Sequence, residues 1–179
     1  MQIKDGTGSG DLAGVVDNRL LVSSRSEERL FYASRDDGQA YAWVTATSTT
    51  AANDTILLIK NTSKTKNLFI DHLGLTLASA SVVTVHRPTT LVATPTGTAV
   101  TGVNLNGQSA NVADASAKKD ETTNSQGDVF LKIQAVAATP IERDLKGAVI
   151  LGPDQSIGID VVATQASFEC NIVGWFEEA

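Results

Sequence analysis

The residues Gly8-x-Gly10-x-x-Ala13, inside KDGTGSGDLAG at positions 4–14, match as a string the glycine fingerprint of dinucleotide-binding turns. That chemistry requires a strand leading into the glycines and a helix leaving them, so that N–H groups at the helix start face a pyrophosphate. Here only Met1-Gln2-Ile3-Lys4-Asp5 precedes the glycines, and no amphipathic helix follows within a βαβ unit. A Walker-type Gly-Lys-Ser/Thr is also missing. The glycines therefore read as backbone that can turn sharply or lie close against another surface.

Other chemistry is sparse. Histidine supplies two candidates, His72 and His86. Asp71 precedes His72 in a strand-like run, where neighbours in sequence point to opposite faces, so the two are not expected to form an orienting pair. His86-Arg87-Pro88 lies at a strand end, and no Gly-x-Ser-x-Gly elbow presents a nucleophile. Both histidines read as surface or satisfied residues. The carboxylate pairs Glu27-Glu28 and Asp36-Asp37 would serve a glycosidase only across a cleft, about 5–9 Å apart. They fall in an expected helix, where capping and solvation account for them. Asp36-Asp37-Gly38 and Asp114 do not follow the ligand order of a calcium loop. Trp43 and Trp175 sit in strand patterns and read as packing residues rather than sugar platforms, in a chain only 5% aromatic. The single cysteine, Cys170, excludes an intrachain disulfide and reads as a buried inert thiol, and no Cys/His cluster for zinc exists. No catalytic, cofactor-binding or metal-ligating set emerges, and the chain is not expected to be an enzyme.

The elements that would position these residues are mostly strands. Val, Ile and Thr are abundant, which suits a pleated, half-buried surface. Period-2 alternation appears at Leu73, Leu75 and Leu77; at Val129, Leu131 and Ile133; at Ile157, Ile159 and Val161; and at Phe168, Cys170 and Ile172. Turn residues separate the runs, at Asn53-Asp54, Asn61-Thr62-Ser63, Asn106-Gly107, Gly127-Asp128 and Gly152-Pro153-Asp154. The pattern predicts an all-β, antiparallel sandwich over 39–179, with a jelly roll as the most economical topology. Before it, residues 1–38 read as a Gly-rich arm followed by a short helix from about 25 to 37. Ser24 and Glu27 have capping-box spacing and Gly38 is placed to end that helix; a strand through Leu30-Phe31-Tyr32 is the rival. Residues 106–128 are rich in Asn, Ser, Thr, Lys and Asp and read as a long polar loop between strands.

A net charge of −6 disfavours contact with nucleic acid. No apolar run approaches the ~20 residues that cross a bilayer, so no membrane partner is expected. The first residues lack the charged-then-apolar order of a secretory signal, so synthesis in a cytoplasm is expected.

With these residues in view, the chain resembles a family of tailed-bacteriophage virion proteins. The resemblance rests on Lys4-Asp5-Gly6-Thr7-Gly8-Ser9-Gly10, on Asn18-Arg19-Leu20-Leu21-Val22, and on the polar helical segment ending near Gly38. It continues in Val103-Asn104-Leu105-Asn106 with the Ser/Asn/Ala-rich loop from Gly107 to Ala117, in Leu151-Gly152-Pro153-Asp154-Gln155-Ser156-Ile157, and in the final Gly174-Trp175-Phe176-Glu177-Glu178. At Asn106-Gly107-Gln108 the chain departs from the family pattern, which has an arginine soon after the asparagine. What the resemblance implies is a capsid decoration (cement) protein on the capsid exterior, made in the host cytoplasm, binding the major capsid protein and associating with itself as a homotrimer. The arm residues Lys4, Asp5, Gly6, Gly8, Gly10, Asp11, Asp17, Asn18 and Arg19 would then contact the capsid, with no cofactor involved. Two other expectations stand beside it: a tail or fibre module binding a receptor or glycan, and a sandwich enzyme that cleaves polysaccharide.

Overall fold

The alternating runs become strands because one set of side chains on each can leave water against a facing sheet. The computed structural model describes residues 15–16, 19–20, 28–45, 48–87, 97–120 and 127–179. A two-residue pair, β1 (Val15–Val16) and β2 (Arg19–Leu20), comes first, then helix α1 (Arg29–Arg35). There follow β3 (Ala40–Val44), β4 (Ser48–Thr50), β5 (Thr55–Asn61), β6 (Lys66–Leu77) and β7 (Ser81–Arg87). The remaining strands are β8 (Thr98–Val100), β9 (Gly102–Asn104), β10 (Ala115–Lys119), β11 (Asp128–Ala135), β12 (Ile141–Leu151), β13 (Ser156–Val161) and β14 (Gln165–Glu178).

Two sheets pack face to face. The first runs β11-β7-β13-β5-β10-β8; the second runs β12-β6-β14-β3-β9, with β4 also beside β14. Every described pairing is antiparallel, so the expected antiparallel sandwich is what the chain forms. From β5 to β7, and again from β11 to β14, successive strands alternate between the sheets. The core lies between them. Leu57, Ile59, Val83, Val85, Ile157 and Ile159 of the first sheet face Leu68, Ile70, Leu73, Leu75, Phe168 and Ile172 of the second. Each such side chain, fully buried, contributes about 1.5–3 kcal/mol. Tyr41, Trp43 and Phe176 add an aromatic knot, with Tyr41 edge-on to Phe176 at 5.8 Å.

Three sequence expectations meet detail here. Val129, expected on one face with Leu131 and Ile133, is exposed, because a bulge between Val129 and Leu131 shifts the register. The polar stretch 106–128 carries β10, which sits between β5 and β8 and buries Ala117. Its alternation was masked because its inward residue is the small Ala117, flanked by Ser116 and Lys118. Helix α1 forms in place of a strand through Leu30-Phe31-Tyr32, with Gly38 at φ +59° just past its end. The Ser24–Glu27 box lies outside the described residues; the first described cap is Glu28, extended and without a side-chain cap bond. Among the described residues no helix is long and apolar enough to cross a membrane.

Candidate functional site

Helix α1 seats on the outer face of the second sheet, and a wide cleft opens beside it. Leu30 and Ala33 pack on Ala40, Phe69 and Trp175. The Phe69 and Trp175 rings stack at 5.4 Å, almost parallel. Gly147, at φ +71°, brings backbone against the indole so closely that any β-carbon would collide with the ring. Trp175 Nε1 donates to Glu177 Oε1 at 2.7 Å, and Glu177 Oε2 accepts from Arg29 at 3.1 Å. Trp175 is only 4% exposed, and Trp43 is in the core. Neither offers the open ring face a sugar would stack on.

Beyond the helix the cleft, about 950 Å³, is lined by Asp71, His72, Asp144, Lys146 and Val173. Asp71 and His72 thus share one face, contrary to the alternation expected of adjacent strand residues. The reason is a bulge. His72 pairs with Val173 but Ile70 pairs with Gly174, so Asp71 has no partner on β14. On the other side β12 slips at the same level, from Asp144 opposite His72 to Val149 opposite Ile70, through Lys146 and Gly147 at positive φ. Partial burial holds the Asp71 carboxyl above the usual range, Asp144 and Glu28 push it further, and His72 and Lys146 oppose them. His72 Nε2 meets the Glu142 carboxylate, and Lys146 lies 3.7 Å from Asp144. Among the described residues the lining holds no serine, threonine or cysteine, and the surface they form is of mixed charge.

The second polar cluster is buried. His86, fully enclosed, lies with Nε2 2.9 Å from Asp160 Oδ2, and Thr55 donates to Asp160 Oδ1 at 2.5 Å. The N–H of Gly127 points at His86 Nδ1 from 3.3 Å, which leaves the ring proton on Nε2, toward the carboxylate. Nucleophilic catalysis needs the imidazole between hydroxyl and carboxylate. Here the carboxylate stands in the middle, and the trio ties β5, β13 and β7 together.

A third set surrounds the end of α1. Asn104 Nδ2 donates to the Gly38 carbonyl at 2.9 Å, Asn111 Nδ2 to the Asp37 and Gly38 carbonyls at 3.2 Å, and Asn106 Nδ2 to that of Arg35 at 3.3 Å. The last carbonyls of a helix have no partner within it; here Tyr32 and Ala33 take the N–H groups of Asp36 and Gln39, while a loop some seventy residues downstream supplies Arg35 and the Asp37 and Gly38 carbonyls just past the end. Asn104 Oδ1 and Asn106 Oδ1 in turn accept from the N–H groups of Asn106 and Gln108. This asparagine clamp went unrecognised in the sequence, where the only sign was the spacing of amides across Asn104, Asn106 and Asn111.

The remaining candidates are engaged or dispersed. Asp36 binds Arg35 at 2.6 Å and Asp114 lies 3.6 Å from Lys66. Among the described residues no three His, Cys, Asp or Glu side chains gather where a metal ion could sit. Cys170 is buried, and burial pushes its thiol far up. Of the arm residues, Lys4, Asp5, Gly6, Gly8, Gly10, Asp11, Asp17 and Asn18 lie outside the described residues; Arg19 pairs with Val16 in the short β1–β2 ladder. Comparison of the chain with protein-family models, with curated proteins and with solved structures finds no match.

Proposed function

We propose that the chain is a non-enzymatic structural protein of a tailed-bacteriophage virion, a decoration protein that binds the major capsid protein on the outside of the head and stabilises it. Its jelly-roll-type sandwich would serve as the body, its Gly-rich arm with Lys4, Asp5, Asp11, Asp17 and Arg19 as the capsid contact, and trimers as the working unit. One observation carries the reading: three of the segments behind the virion resemblance do mechanical work in the fold. Asn104 and Asn106 clamp the helix that ends before Gly38. Gly152 to Gln155 form a turn closed by Gln155 N–H to the Gly152 carbonyl at 3.1 Å and by Gly152 N–H to Gln155 Oε1 at 3.0 Å. Gly174-Trp175-Phe176 lie in β14, inside the second sheet, where Trp175 seats the helix. A resemblance concentrated in such segments fits a protein used for its shape. An arm that orders on a partner gains contact area at an entropic cost, and many copies across a shell add their contacts through avidity.

The test is co-sedimentation with expanded capsids. The full chain should pellet with them, and a chain lacking residues 1–22 should stay folded and remain in the supernatant. Undiminished binding by the truncated chain would remove the arm from the reading. Imaging of particles that placed the protein on the tail would remove the head.

A further inference from the structure

The two sides of the sandwich end differently. On one side the sheets finish in β8 and β9, three residues each. On the other they finish in β11 and β12, eight and eleven residues long. A long edge with unpaired N–H and C=O groups is a template for another chain, and monomers blunt such edges with charge, proline or short strands. The stretch Ala148-Val149-Ile150-Leu151 at the end of β12 has neither charge nor proline.

Between these edges runs a groove of about 390 Å³. Phe130, Val149, Ile150 and Ile157 line it, with Arg87 and Asp128 also on its wall. Phe130 is 46% exposed and Ile150 49%. The β11 bulge is what leaves Phe130 without a partner on β7. Ser156 lines the same groove, 2% exposed, and among the described residues its hydroxyl has no hydrogen-bond partner.

The charges say what fits. Arg87 and Asp128 stand opposite each other in the β7–β11 register, both exposed, and no ion pair or hydrogen bond of either side chain occurs among the described residues. A partner of one charge sign would place a like charge against one of the two. A second copy of the same surface brings Asp128 to Arg87 and Arg87 to Asp128. The pairs then close reciprocally about a two-fold axis or as a ring about a three-fold axis.

We propose that the β11/β12 edge is the face through which copies of this chain associate, Phe130 and Ile150 of each entering the groove of the next and Arg87 pairing with Asp128 across the contact. The inference rests on the self-association in the proposed function and gives it a location. It does not depend on the capsid.

Sedimentation equilibrium of the full chain tests it. The wild-type chain should be trimeric. Arg87→Asp and Asp128→Arg should each weaken association about tenfold or more by setting like charges together, and the double exchange should restore it. Ile150→Lys should also yield monomers, with circular dichroism reporting intact sheet. A dimer that responds to the same exchanges keeps the face and removes the three-fold axis. A wild-type chain that stays monomeric, an oligomer that ignores all these substitutions, or folded single exchanges that the double exchange does not rescue would each overturn the proposal. Capsid co-sedimentation of the same wild-type sample separates the two failures: trimers that do not bind capsids sink the virion reading and leave this face standing.

Discussion

At the scale of single residues, four positions carry measurable consequences. Gly147 combines a left-handed backbone with contact against Trp175. Gly147→Ala should therefore cost about 2–4 kcal/mol, from backbone strain plus overpacking, read as a lower urea midpoint with altered tryptophan fluorescence. His86 and Asp160 are both buried and bonded to each other. His86→Leu should cost about 3–5 kcal/mol by leaving the carboxylate short of a partner. The double variant His86→Leu, Asp160→Val should recover part of that loss in the same denaturation series. Asp71 sets a pH dependence. Its folded pKa lies above the ordinary carboxylate value of 3.8, so the folded state holds the proton more tightly than the unfolded one. Its contribution to stability falls as pH rises from that value through the raised one, and the penalty is complete above it. Asp71→Asn should raise the melting temperature at neutral pH and leave it unchanged in acid below the carboxylate range. None of this was legible from composition. Cys170 was, since its alternating apolar neighbours announced its burial. The His86–Asp160 pairing was not, because it joins strands whose register a sequence does not display.

At the scale of elements, the strands were legible wherever alternation was strong and bulky, as at Leu73, Leu75 and Leu77 or Ile157, Ile159 and Val161. β10 was hidden because its inward residue is small, whereas β6 and β11 were legible as strands and only the facing of their residues was not, where bulges break the period at Asp71 and Phe130. Bulges respond to how three strands fit together, and that fit has no local signature. Helix α1 shows a related dependence. Seven residues are too few for stability alone, so it persists through its seat on Trp175 and through the amides that cap its end. Asn104→Ala should cost about 1–2 kcal/mol. It should also speed amide exchange over residues 29–38 while the strands of the first sheet keep their protection, as followed by hydrogen–deuterium exchange. Equal loss of protection in both sheets would show the clamp to be no more than another part of the core.

At the scale of the whole molecule, the core between the sheets draws its side chains from Tyr41 to Phe176. A chain lacking residues 1–22 should accordingly unfold in one cooperative transition at an unchanged urea midpoint. A second transition, or a lower midpoint, would mean that the arm belongs to the folded body. The order of strands also has a consequence in time. β14 lies between β6 on one flank and β3 and β4 on the other, so the middle of the second sheet is made last. At about 5–20 residues per second, a ribosome leaves β3 waiting on the order of ten seconds for that neighbour. During that interval a nascent chain carries half a sheet with its interior uncovered. Translation is therefore the moment at which this protein is most open to aggregation, and holding the growing chain apart until Glu178 emerges is the service a chaperone would render it.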